Sequence, residues 1–142
     1  DWPTYRTIPS GTGVVLMAFT HGADRKAFCR KRSPEELAKL APNMRKPEEC
    51  PRARPPIYVE LDVGGRTVFA RSLNPTGIAG DAPSRVYERF VLPAGEYDLA
   101  ARMRDTPRPD GFDYSHSERI KLAAGQLFMI DFDPAKNAFI FR

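Results

Sequence analysis

Apolar and polar residues alternate with a period of two along most of this chain, and that period predicts strands. Residues 57–63 (IYVELDV) place Ile57, Val59, Leu61 and Val63 on one side and Tyr58, Glu60 and Asp62 on the other, as a half-buried strand requires. Gly64-Gly65 follows, then residues 66–73 (RTVFARSL). Two such runs joined by Gly-Gly predict a tight hairpin, because the connecting positions need positive φ. Further strands are predicted at residues 85–92, 96–104, 118–122, 127–132 and 138–142. Turn residues separate them at 74–83, at Pro93-Ala94-Gly95, at 106–111, at Ala124-Gly125 and at 133–137. Residues 14–20 (VVLMAFT) are apolar throughout, and their length and β-branched start favour a strand over a helix. About eight strands with turns at short intervals are the pattern of a sandwich or barrel. The expected fold is a mostly β, antiparallel β-sandwich. Its expected core is Val15, Met17, Phe19, Val59, Leu61, Phe90, Leu99, Ile120, Leu122, Ile130 and Phe132.

One short helix interrupts the strands. Ser33-Pro34-Glu35-Glu36 supplies a capping hydroxyl, Pro at the first helical position and Glu at the third, a combination that satisfies helix-end amides reciprocally. Leu37 and Leu40 give the helix one apolar edge, and it should end by Ala41, because Pro42 disfavours helical geometry in the residue before it. The helix lies in a long insertion, residues 21–56, which holds Pro42, Pro47, Pro51, Pro55, Pro56 and both cysteines. A connection of this length is unusual in a compact domain and is commonly functional or disordered. Cys29 and Cys50 bracket the helix. Joined as a disulfide they would close a loop of about 20 residues, a constraint worth roughly 3 kcal/mol, and would place the protein in the periplasm or outside the cell.

At 142 residues the chain has the length of one domain. Residues 14–142 are expected to form it. Residues 1–13 read as a linker, with Pro3, Pro9 and Ser10-Gly11-Thr12-Gly13 and no periodicity. The chain opens on Asp1 without an initiator Met. A removed signal, an upstream membrane anchor or an arbitrary boundary would each account for that. Trp2 and Tyr5 suit a membrane interface. No apolar run approaches the roughly 18–20 residues needed to cross a bilayer.

The net charge of +4 is unevenly placed. Between Gly22 and Arg54 ten Lys and Arg face five Asp and Glu, so the basic character belongs to the insertion. Arg25, Lys26, Arg30, Lys31, Arg32, Arg45 and Lys46 are the candidate partner-binding residues. Aromatics do not interleave with them as a stacking platform for nucleic acid would need. An acidic protein partner or an anionic surface fits better. Candidate chemistry is sparse. His21 with Cys29, Cys50 and Met44 or Met17 could build a soft-metal site for copper(I), but the spacing follows no established pattern, and a surface histidine at a strand end is the better reading. His116 lies between Ser115 and Ser117 without a nucleophile elbow. The carboxylate pairs Glu60/Asp62 and Asp131/Asp133 share strand faces, as solvated strands often show. There is no phosphate loop, dinucleotide fingerprint or cofactor motif, and no positive case for an enzyme.

Three segments carry a family resemblance. They are Tyr58-Val59-Glu60-Leu61-Asp62-Val63-Gly64-Gly65, then Leu92-Pro93-Ala94-Gly95-Glu96-Tyr97-Asp98-Leu99, and Ile120-Lys121-Leu122-Ala123-Ala124-Gly125-Gln126 running into residues 127–132. Together they resemble the PEGA-type and transthyretin-like β-sandwich modules of bacterial surface and periplasmic proteins. The resemblance covers about half the chain and implies an immunoglobulin- or transthyretin-like sandwich serving adhesion, carbohydrate contact or assembly without catalysis. The expectation is an extracytoplasmic accessory or protein-interaction domain of a cell-envelope or membrane-bound assembly. A glycan-binding module is the first alternative, with Trp2, Tyr5, Tyr87, Tyr97, Phe112 and Tyr114 as its aromatics. Periplasmic copper handling is the second.

Overall fold

The computed structural model describes residues 8–142, and they form a two-layer β-sandwich. The strands are β1 (Thr12–His21), β2 (Arg30–Lys31), β3 (Glu48–Glu49), β4 (Ile57–Val63), β5 (Arg66–Leu73) and β6 (Pro75–Thr76). They continue as β7 (Ala82–Pro93), β8 (Gly95–Arg104), β9 (Tyr114–Leu122), β10 (Leu127–Asp133) and β11 (Ala138–Phe141). One layer has five strands in the order β11-β10-β1-β7-β6, the other four in the order β5-β4-β8-β9. β2 and β3 form a separate two-stranded ribbon, and the helix α1 spans Pro34–Ala38.

The β4–β5 hairpin forms as its sequence predicts, with Gly64 at φ 60° and Gly65 at φ 79°. Its register shifts after Leu61, which pairs with Phe69 while Asp62 pairs with Thr67. Val68 is the extra residue of this bulge and turns partly to solvent. Alternation sets the core. Ile57, Val59 and Leu61 from β4 meet Leu99, Ala101 and Met103 from β8 and Ile120 and Leu122 from β9. Val15, Met17 and Phe19 from β1, Val86 from β7, and Phe128, Ile130 and Phe132 from β10 close the other side, with Phe139 from β11. Ile57, Phe69, Val86, Ala101, Met103, Phe128 and Phe139 thus extend the expected core. Phe90 packs against this core from its margin. The side chain is only partly buried because β6 ends at Thr76 and leaves the second half of β7 without an outer neighbour.

The pairings are antiparallel as expected except for one, in which β1 pairs with β10 in parallel, Val14 beside Leu127 and Met17 beside Ile130. The linker does not reach residue 13, because β1 begins at Thr12. A Cβ at Gly13 would lie 2.7 Å from Leu122 and 2.8 Å from the Ala123 carbonyl. That glycine therefore marks a close approach of two backbones rather than a spacer. The readings on Trp2, Tyr5 and the first seven residues lie outside the described part of the chain. Among the described residues no helix is long and apolar enough to cross a membrane.

Candidate interaction surface

The insertion leaves the sandwich where β1 ends and returns at Ile57. It is moored at both roots. Ala23 is buried, the Asp24 amide donates to the Asp105 carbonyl at 2.9 Å, and Phe28 packs against the core. On the return, the Arg54 amide donates to the Gly80 carbonyl and its Nε to the Asp81 carbonyl. Between the roots, local chemistry does the folding. Ser33 accepts the Glu36 amide and Glu36 accepts the Ser33 amide, the reciprocal cap that the sequence predicts, with Pro34 opening α1. No residue of α1 is buried, so the helix rests on caps, on the ribbon and on the Cys29–Cys50 disulfide. Such a cross-link belongs to oxidising, non-cytoplasmic compartments.

Arg30 is the centre of this unit. Its guanidinium donates to both carboxylate oxygens of Glu36, at 2.9 and 2.8 Å, and also to Glu49 across the ribbon. The Glu36 carboxyl is held down to about 2, first by the Arg30 hydrogen bond and next by the Ser33 amide. Arg45 donates to the Leu40 and Ala38 carbonyls and closes the open end of α1, while Arg32 donates to the Lys46 carbonyl. The seven basic residues therefore divide by role. Arg30, Arg32 and Arg45 are used inside the insertion. Lys26, Lys31 and Lys46 are exposed and Arg25 is half exposed; among the described residues, none of these four takes part in an ion pair. The outward charge is smaller than the sequence count suggests.

His21 is not a surface residue. Its side chain is 11% exposed, and Nε2 lies 2.7 Å from Oδ2 of Asp105, itself 4% exposed at the side chain. The imidazole meets Phe132 and Tyr114 edge-on, at 4.8 and 6.0 Å between ring centres. Burial, with the Asp105 charge next, raises the Tyr114 phenol. The remaining ligands of the copper reading are elsewhere: Cys29 and Cys50 are bonded to each other, which removes both thiolates, and Met44 is exposed on the insertion. Met17 lies in the core. Among the described residues, no three His, Cys, Asp or Glu side chains gather as a metal cluster.

The outer face of the four-stranded sheet carries a second polar network. Arg102 spans two strands and donates to Glu60 at 2.7 Å and to both oxygens of Asp62 at 2.9 Å. Both carboxyls are lowered: Asp62 first by Arg102, Glu60 first by the Tyr58 hydroxyl and then by Arg102. Phe112 stacks on Tyr58, and Arg104 lies over both rings. A shallow hollow of about 370 Å³ beside Arg102 is lined by Ala100, Ser115, His116 and Ser117. His116 points to Glu118 at 3.0 Å rather than to either serine. The glycan candidates are scattered. Tyr87 lies on the outside of the five-stranded sheet, Phe112 on the outside of the other, Tyr97 donates to the Pro93 carbonyl, and Tyr114 fills the end of the core. Against known proteins, the chain matches no family model, no curated protein and no solved structure.

Proposed function

We propose that this chain is a non-catalytic protein-interaction domain of the periplasm or cell exterior, an accessory unit of a cell-envelope or membrane-bound assembly. The partner reads the insertion. One observation carries the reading: beyond its roots at Ala23 and Phe28, which pack on the core, the insertion is built by its own polar bonds, buries no helix residue and is cross-linked by Cys29–Cys50. A cross-linked segment that meets the core only at its root leaves its outer part to serve as a presentation device. Its outward lysines suit an acidic partner by steering the encounter and fixing its orientation. Membership of the PEGA-type modules, which three short segments of the chain resemble, would suit the same role.

A photoreactive residue at Lys31 tests this in the native host. It should give one covalent product with an envelope component, while the same residue at Ala94, at the opposite end of the sandwich, gives none. Lys26→Glu with Lys46→Glu should remove the product and leave the melting temperature within a few degrees. Equal products from both positions, or none from Lys31, would sink the proposal. Arg30 is unsuitable for this test, because its replacement dismantles the insertion instead of recolouring its surface.

A further inference from the structure

The five-stranded sheet is apolar on its outward face as well as on the face it turns to the core. Outward positions form rows across the strands: Val91, Val14 and Leu127; then Arg89, Leu16 and Met129; then Tyr87 and Ala18. Next to these, Asp131 pairs with Ile140 on β11. Val14 is buried and Leu16, Ala18 and Met129 are half-buried, while Tyr87 is 62% exposed, Leu127 51% and Val91 41%. Alternation explains what is unusual here. A strand with one wet face reads apolar-polar, whereas β1 and β10 read nearly apolar throughout, as strands covered on both sides do. Basic residues interleave on β7, where Arg85 and Arg89 share the outward face with Tyr87 and Val91. A hollow of about 440 Å³ lies in this face, lined by Ala18, Thr20, Arg85, Tyr87 and Asp131.

We propose that a second copy of this chain docks on this face, sheet against sheet, about a two-fold axis running along β1. That axis lays β7 of one copy over β10 of the other. Arg85 then meets Asp131, which lies one row away in the sheet, and the contact occurs twice. Tyr87 of each copy borders the hollow of the other. A two-fold axis across the strands would instead set β7 on β7 and arginine on arginine, which like-charge repulsion disfavours. Strands about 4.8 Å apart, rising about 3.3 Å per residue, give two such faces a burial on the order of 1,000 Å², the lower end of specific interfaces. The dimer is therefore weak and depends on concentration.

Sedimentation equilibrium of the full chain, from about 10 μM to 1 mM, reads a weak dimer of this size. The expected result is a monomer–dimer equilibrium abolished by Tyr87→Glu. Arg85→Glu and Asp131→Lys should each weaken it about tenfold, and the two together should restore it, as a cross-interface charge pair requires. Far-UV circular dichroism checks that each variant folds, and Val91→Lys replaces any that does not. A monomer at every concentration, or a dimer indifferent to Tyr87→Glu, would overturn the proposal. So would a monomer that co-sediments with vesicles of phosphatidylcholine and phosphatidylglycerol through this face.

Discussion

Asp105 holds a carboxylate almost entirely out of water, with Oδ2 against His21 and Oδ1 without a hydrogen-bond partner among the described residues. Removing the imidazole leaves the buried group without the hydrogen-bond partner of Oδ2. His21→Ala is therefore expected to destabilise the domain by about 1–3 kcal/mol in urea denaturation, and a loss below about 0.5 kcal/mol would show the pair to be dispensable. Single residues were the least legible part of the sequence. His21 ends an apolar run before a glycine, which reads as a solvent-facing strand end, and the partner that buries it lies 84 positions away. Arg30 reads as surface charge for the same reason, since Glu49 becomes its neighbour only when the ribbon pairs. The cysteines and the Ser33–Glu36 cap were readable because both partners sit within one local segment.

Elements written by short-range rules came through well. Gly64-Gly65 forces its hairpin, and Pro34 with Ser33 fixes the start of α1. What the pattern could not supply was the neighbour of each strand, so the parallel pairing of β1 with β10 was beyond it. Within the insertion, the Arg30–Glu36–Glu49 fork makes its order sensitive to acid. The Glu36 carboxyl lies at about 2 in the fold against an ordinary 4.5. A depressed folded value means that the support is complete above about pH 4.5 and is lost as pH falls through about 2. Amide exchange in residues 30–49 should accelerate across that window while β4 and β8 stay protected. Equal acceleration in both regions would show that the fork does not hold the insertion.

At the scale of the whole molecule, the sandwich and the insertion are expected to come apart as separate cooperative units. Cys29→Ser with Cys50→Ser should raise exchange throughout residues 24–54 yet lower the stability of the sandwich by no more than about 1 kcal/mol. A global loss near the roughly 3 kcal/mol that a loop of this length allows would mean that the two layers depend on the insertion. The layers themselves were legible from alternation. The doubly apolar character of β1 was visible as an unbroken run but could not be assigned to faces without its neighbours. Its position has a consequence for biosynthesis. β1 is seated between β7 and β10, and β10 is made over a hundred residues after it. At about 5–20 residues per second, its apolar run waits on the order of ten seconds for its second neighbour. Folding is expected to be slow for a domain of this size, because this pairing joins strands far apart in sequence.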